Sequence, residues 1–258
     1  MTNSLSMKNI FFASLCLALT VFATGGEREM STDRPDQTES PFTVPAGRLQ
    51  IESGLFSYTR SIGEADVNES IEWGSFLLRF GLTHNTDLEA GVRPWTINNP
   101  GSDGISDLIV RLKWNLLGND GGKTAIALLP YVTMPTGSDQ IGGAAWGGGL
   151  IIPVSFQLSD DWSLGTMAFL ALEPDSQGDQ QLAPGLSASL GHALNDKLGC
   201  YIEGFAQTIH EADWKWEASL DIGFTYALNE RVQLDLGLNW FVIGERRLNP
   251  FIGCSIRI

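Results

Sequence analysis

The residue types best suited to catalysis are scattered in this sequence rather than grouped. The three histidines, His84, His192 and His210, are far apart and lack the spacing of metal ligands. No serine lies in a Gly-x-Ser-x-Gly turn, and the glycine-rich stretch 142–149 lacks the lysine of a phosphate-binding loop. We therefore expect no enzyme activity, no catalytic residues, no metal site and no cofactor.

Charged residues at alternate positions of strand-like segments are better candidates for function. Because alternate residues of a β-strand point to the same face, each such set would line one surface. Two interpretations remain open: the side chains pair across a narrow interior and stabilise it, or they line a path and set its selectivity. The candidates are Glu89 and Arg93 in one segment, Asp107, Arg111 and Lys113 in the next, and Glu217, Asp221 and Asp235 in the last hairpin.

A polar segment, residues 24–47, precedes the first strand-like segment and is called the leader below. It contains three prolines and shows no periodicity, which predicts an extended chain. Its charged residues Asp33, Arg34, Asp36 and Glu39 could fold back through arginine–carboxylate pairing. The leader is therefore either a periplasmic tail that enters the first strand or a partial plug in the mouth of a barrel.

The stretch 215–243 explains how such residues would be positioned. Its apolar and polar residues alternate with a period of two, which predicts two β-strands joined by a turn at 229–231. A tilted strand needs roughly 9–11 residues to cross a membrane, and these segments are long enough. We expect the apolar face to contact lipid and the polar face to line a lumen, whereas in a soluble exported β protein, the rival interpretation, the apolar face would form the core.

Similar segments recur along the whole chain, separated alternately by short turns and by longer connections. Tryptophan and tyrosine mark many strand ends, as in the interfacial girdles of membrane barrels. The fold class predicted is all-β: a transmembrane antiparallel up-and-down β-barrel of about twelve strands, with short periplasmic turns. The predicted strands are 48–60, 69–82, 87–95, 105–117, 124–134, 145–157, 162–173, 181–194, 197–207, 215–228, 231–243 and 250–258.

The beginning of the chain and its charge indicate where the protein resides. Residues 1–23 have the basic start, the apolar run and the small-residue end of a cleaved signal peptide. The predicted domains are thus 1–23, the leader 24–47 and the barrel 48–258. With 16 Lys+Arg against 30 Asp+Glu, the net charge is −14, which argues against binding nucleic acid.

Several motifs resemble one known family. The leader stretch 31–47, the segment Arg79-Phe80-Gly81-Leu82-Thr83, and the stretches 104–113 and 128–137 are similar to the outer-membrane family named for the meta-pathway of phenol degradation. The resemblance covers essentially the whole mature chain. It implies an outer-membrane β-barrel that acts as a transporter, linked in this family to the uptake of hydrophobic aromatic compounds.

These observations together predict a channel in the outer membrane of a diderm bacterium, exported by the cleaved signal peptide. It would pass small solutes passively, hydrophobic or aromatic ones included, through a narrow or gated pore. Its expected partners are outer-membrane lipid, a small-molecule solute and the barrel-insertion machinery. Two alternatives stay open: a structural or surface-binding barrel without transport, and a barrel-embedded lipid-modifying enzyme.

Overall fold

The computed structural model describes residues 28–61, 68–92, 95–99, 101–139, 141–143, 145–174, 178–210 and 214–258. Residues 1–23, which were predicted to be a signal peptide, and leader residues 24–27 lie outside this part. Within it the chain forms fourteen β-strands: β1 Leu49–Ser61, β2 Glu69–Thr83, β3 Thr86–Val92, β4 Trp95–Asn99, β5 Asp103–Gly104, β6 Leu108–Leu117, β7 Thr124–Met134, β8 Gly147–Gln157, β9 Trp162–Pro174, β10 Gln180–Ala193, β11 Leu198–His210, β12 Trp214–Asn229, β13 Val232–Ile243 and β14 Arg247–Arg257.

The strands form one closed antiparallel barrel. Successive strands pair with one another, and β1 pairs with both β2 and β14, which closes the sheet. Both β3 and β4 pair with β2, and the two-residue β5 continues the ladder beside β4, so the fourteen segments make twelve barrel strands. The predicted fold class is therefore confirmed. Among the described residues, no helix is long and apolar enough to cross a membrane.

Alternation of side chains gives the barrel an apolar outside and a largely polar inside. In β12 the outward residues Leu220 and Ile222 are 55% and 51% exposed, whereas Ser219 and Asp221, which alternate with them, are 2% and 1% exposed. The same contrast recurs around the barrel. Alternate burial of this kind is typical of a strand whose apolar face meets lipid.

Exposed aromatic residues lie near both ends of the barrel, as interfacial girdles do. Among the described residues, those on the side of the longer connections outnumber those on the side of the short turns. The first group is Trp73, Trp95, Trp146, Trp216 and Trp240, and the second is Trp114, Trp162 and Tyr226.

Inside the barrel, aromatic rings lie over glycines of the neighbouring strand. A Cβ built on each of these glycines would lie 2.1–2.9 Å from an atom of the ring, so the glycine provides the space that the ring occupies. Because ring and glycine are also paired in register, each contact favours one alignment of two strands. The pairs are Tyr131 with Gly149, Phe169 with Gly185, Tyr201 with Gly223, and Phe251 with Gly237.

Candidate functional site in the barrel interior

Most of the charged residues predicted to line the interior are buried on the inner face of the barrel wall. Asp107 lies in the connection between β5 and β6 and lines two interior cavities. Arg93 lies outside the described residues. The buried wall residues are Glu89, Arg111, Lys113, Glu217, Asp221 and Asp235.

One side of the wall carries three buried cations, which we call the basic triad: Arg79 of β2 with Arg111 and Lys113 of β6. Glu89 of β3 binds all three: its carboxylate lies 3.3 Å from Arg79 Nε, 2.6 Å from Arg111 Nε and 3.3 Å from Lys113 Nζ. Buried charge is costly unless it is paired, so these contacts are what allow the triad to sit inside the barrel.

Two further wall carboxylates, Glu52 and Asp87, bind Arg79 from the neighbouring strands β1 and β3. Glu52 Oε1 lies 2.9 Å from Arg79 Nη1, and Asp87 Oδ2 lies 3.2 Å from Arg79 Nη2. With Glu89 they balance the three positive charges of the triad. These wall carboxylates leave the terminal nitrogens of Arg111 and the ammonium of Lys113 with capacity for another anion.

The leader supplies that anion. The Asp33 carboxylate lies 2.5 and 2.8 Å from Lys113 Nζ, 3.3 Å from Arg111 Nη2 and 3.4 Å from Arg79 Nη1. Glu39 binds Arg111 Nη1. Burial opposes ionisation of Asp33, but the three cations outweigh it and hold the pKa of that carboxyl well below its usual range.

The opposite wall is acidic, and there the leader contributes donors instead. Arg34 binds Asp235 of β13 through two nitrogens, at 2.7 and 3.2 Å. The backbone N–H groups of Gln37 and Thr38 each donate to the Glu203 carboxylate of β11 at 2.8 Å. The leader therefore matches the charge of both walls.

Asp36 of the leader contacts β10 through a hydrogen bond with Ser189. Burial raises the pKa of Asp36 to about 6, although a hydrogen bond with Ser189 lowers it in part. The neighbouring carboxylates Asp33 and Asp221 raise it further. A carboxyl group of this pKa is more readily protonated in the docked leader than in water.

Both ends of the described leader lie at the short-turn end of the barrel. Arg28 donates to the carbonyl of His84 in the β2–β3 turn and pairs with Asp120 in the β6–β7 turn. On the way back, Thr43 N–H donates to Asn119, and Val44 N–H donates to Asp87. Residues 28–47 therefore enter the interior, cross to the acidic wall and return to β1.

Cavities lie on both sides of this crossing chain. A cavity of about 340 Å³ lies between the leader and strands β8–β12, and one of about 530 Å³ adjoins the basic triad. A third, of about 490 Å³, is lined by Tyr131, Met167, Phe169 and Phe205. Glu39 borders all three, so the cavities meet at the leader.

At the end of the barrel opposite the short turns, Asp107 holds a loop beside the cavities of about 530 and 490 Å³. Its Oδ1 accepts from Gly137 N–H at 2.8 Å, and its Oδ2 accepts from Gly143 N–H at 2.7 Å. Both carboxylate oxygens are thus bound by the connection between β7 and β8. In this structure Asp107 positions a loop as well as lining the interior.

The histidines do not meet in the part of the chain that the structure describes. His84 binds Asp120 at 2.7 Å in the turns, and His192 stacks on Trp162 with ring centroids 4.1 Å apart. Among the described residues, no group of three or more histidine, cysteine or acidic side chains could hold a metal ion. The expected absence of enzyme activity stays a prediction.

Sequence reasoning missed Arg79, Asp87 and Glu203, which are central to the observed contacts. Arg79 is the one charge among the apolar residues 76–82, and this isolation was a usable signal. Asp87 begins the predicted strand 87–95 but is not among the predicted lining residues, whereas it faces inward from β3. Glu203 is likewise the one charge among residues 198–209, but its leader partners Gln37 and Thr38 lie more than 160 residues away in the sequence.

Comparison with known proteins agrees with this architecture. Two solved structures with similar folds are the NanC porin, with a TM-score of 0.56 and 9% identity, and the KdgM porin, with a TM-score of 0.53 and 9% identity. The first match covers 81% of this chain and 100% of NanC, and the second covers 80% and 98%. No curated protein matches by sequence.

One family profile, described as "Putative MetA-pathway of phenol degradation", matches residues 32–258. The match begins inside the leader and runs through β14, so it includes both the barrel and the interior contacts of the leader. The resemblance seen in the sequence is thereby confirmed. The chain belongs to this phenol-degradation MetA-pathway family.

Proposed function

We propose that this protein is an outer-membrane channel for small solutes and that its leader is the plug of the channel. The apolar outer face and the two sets of exposed aromatic residues suit a lipid bilayer. The porin-like fold supports the same location. On this proposal residues 1–23 direct export, outer-membrane lipid surrounds the barrel, and the barrel-insertion machinery is its assembly partner.

The observation that carries the proposal is the position of the leader between interior cavities. It is bound to the basic triad through Asp33 and Glu39 and to the acidic wall through Arg34 and Thr38. A twelve-stranded barrel lies between the filled eight-stranded barrels and the open sixteen-stranded porins. One segment of chain is therefore enough to close its interior, and undocking that segment would join the cavities.

The lining of the cavity beside Glu39 supports small hydrophobic or aromatic solutes. Tyr131, Met167, Phe169 and Phe205 give it apolar and aromatic walls. An apolar cavity of about 150 Å³ is enough for benzene, and this one has about 490 Å³. The name of the family, which refers to phenol degradation, points to the same class of compound.

Planar-bilayer recordings test the proposal. The full-length mature chain should show rare or small openings, and a chain that begins at Arg48 should conduct steadily because the plug is gone. An Asp33→Ala, Arg34→Ala double variant should be intermediate, since it keeps the leader but removes a contact to each wall. A control for insertion is heat-modifiable mobility of the folded barrel in electrophoresis.

Two other results of the recordings would contradict the plug or the channel. Equal conductance of the full-length and truncated chains would mean that the leader is a tail and no plug. Silence of both chains, with correct insertion, would overturn the channel and favour the structural barrel without transport.

A further inference from the structure

The Asp33 carboxylate occupies a site that is built for a carboxylate. Three cations surround it, with the Lys113, Arg111 and Arg79 nitrogens 2.5–3.4 Å from its oxygens. All three side chains are fixed from behind by wall carboxylates, above all by Glu89. The donors are therefore preorganised, and the side chain of Asp33 stands in for an acetate-like ligand joined to the protein.

This site opens onto an interior cavity that has both charged and apolar walls. Asp33 and Arg111 line the cavity of about 530 Å³, together with Val92 and Ile109. Ile109 and Glu39 also line the aromatic cavity of about 490 Å³, so the two spaces adjoin. A molecule with a carboxylate at the triad could place an apolar ring beside Ile109 and reach toward Phe169 and Phe205.

We propose that the solute is a small aromatic or similarly apolar carboxylate, which binds the basic triad in place of Asp33 and so releases the leader. This inference rests on the proposed function, since it names the solute class and the event that unplugs the channel. Competition is possible because Asp33 is held by charge-assisted contacts that any carboxylate can reproduce. A neutral aromatic compound of the same size lacks the group that the triad binds.

The leader ties Asp33 covalently to the barrel, and this tether determines how strongly Asp33 competes with a free carboxylate. A group on a short flexible segment faces its site at an effective concentration in the millimolar range. A free carboxylate must overcome that concentration, so its apparent affinity is reduced until Asp33 is removed. We expect the affinity for benzoate to rise at least tenfold in an Asp33→Ala variant.

Calorimetry on the refolded full-length protein in detergent tests this, with benzoate as the probe and benzyl alcohol as its neutral counterpart. Asp33→Ala should bind benzoate at least tenfold more tightly than the wild-type chain. The matched control is Asp36→Ala, which also removes a buried leader carboxylate, but one beside Ser189 rather than at the triad. It should bind benzoate much less tightly than Asp33→Ala.

A second measurement keeps the proposal falsifiable if Asp33→Ala does not fold. A glutamate-specific protease should cut the wild-type leader after Glu39 faster in benzoate than in benzyl alcohol at equal concentration. Equal cutting in both compounds, or benzoate affinity unchanged by Asp33→Ala, would overturn the inference. Because binding and cutting require no conduction, benzoate binding by a silent barrel would refute the channel alone, and conduction without benzoate binding would refute the solute class alone.

Discussion

Gly253 of β14 provides the most direct test of how the leader is docked. A Cβ at this position would lie 2.2 Å from Arg34 Nη2 and 2.5 Å from its Cζ and Nε. Unbonded atoms normally stay beyond about 3.5 Å, so in Gly253→Ala the guanidinium must move by about 1 Å. The movement takes Arg34 away from the Asp235 carboxylate, which it binds at 2.7 and 3.2 Å.

The expected loss of docking free energy follows from the contact between Arg34 and Asp235. Asp235 is fully buried and Arg34 mostly so, and hydrogen bonds to charged groups contribute roughly 1.5–3 kcal/mol. Arg34 keeps part of its attraction after the shift, so we expect leader docking to weaken by about 2 kcal/mol. Since about 1.4 kcal/mol is a factor of ten, the undocked fraction should rise roughly thirtyfold.

Cutting after Glu39 by a glutamate-specific protease, followed by mass spectrometry, measures that fraction. Cleavage tracks the open population when docking and undocking are fast relative to cutting. Gly204→Ala is the matched control, because a Cβ there would meet nothing within 4 Å. Gly165→Ala, whose Cβ would lie 3.3 Å from Thr38 Cγ2, should have a small effect.

The reasoning is refuted if Gly253→Ala is cut at the rate of Gly204→Ala while both barrels remain folded. Such a result would mean that Arg34 does not lie against β14 when the leader is docked. An equal increase in all three glycine variants would instead indicate a general loosening of the barrel.

Three further predictions concern other parts of the interior. In Gly237→Ala the new Cβ would lie 2.5 Å from the Phe251 ring, so we expect a loss of roughly 1–3 kcal/mol, measured by urea unfolding in lipid vesicles. Asp107→Ala removes the acceptor of two loop N–H groups, so amides at 137 and 143 should exchange hydrogen much faster. Because the docked Asp36 has a pKa of about 6, above its ordinary 3.8, its contribution to docking should be lost as pH rises from about 4 to 6. Cutting after Glu39, normalised to an unfolded peptide, should therefore be faster at pH 7.5 than at pH 5, and Asp36→Asn should shrink that difference.

The sequence was sufficient for the barrel because its signal is local and repeated. Alternation in residues 215–243 placed Leu220 and Asp221 on opposite faces, and they are 55% and 1% exposed; the same rule predicted the twelve barrel strands. Strand ends were less predictable. The third predicted strand, 87–95, continues to Asn99 as β4, and the last begins at Arg247 rather than at 250, because ladder pairing with a neighbour sets these ends.

The contacts of the leader could be predicted only in part. Its charges indicated pairing with opposite charge, but the sequence pattern suggested that Arg34 pairs within the leader, whereas it pairs with Asp235 about 200 residues away. Contacts made by backbone N–H groups, such as those of Gln37 and Thr38 with Glu203, leave no trace in residue type. Each depends on which wall residue the closed barrel brings opposite the leader.

Hydrogen bonds within the leader couple its contacts with the two walls, so weakening the contacts with one wall should also weaken those with the other. The Ser31 and Ser40 hydroxyl groups are hydrogen-bonded at 2.7 Å, and Ser40 N–H donates to Asp33 at 3.1 Å, so residues 31–40 form a loop closed on itself. Contacts made by one closed loop reinforce one another, because each keeps the others at high effective concentration. Displacing Arg34 from the acidic wall therefore also lowers the occupancy of Asp33 at the basic triad. For the same reason a carboxylate that competes with Asp33 alone is able to release the whole loop.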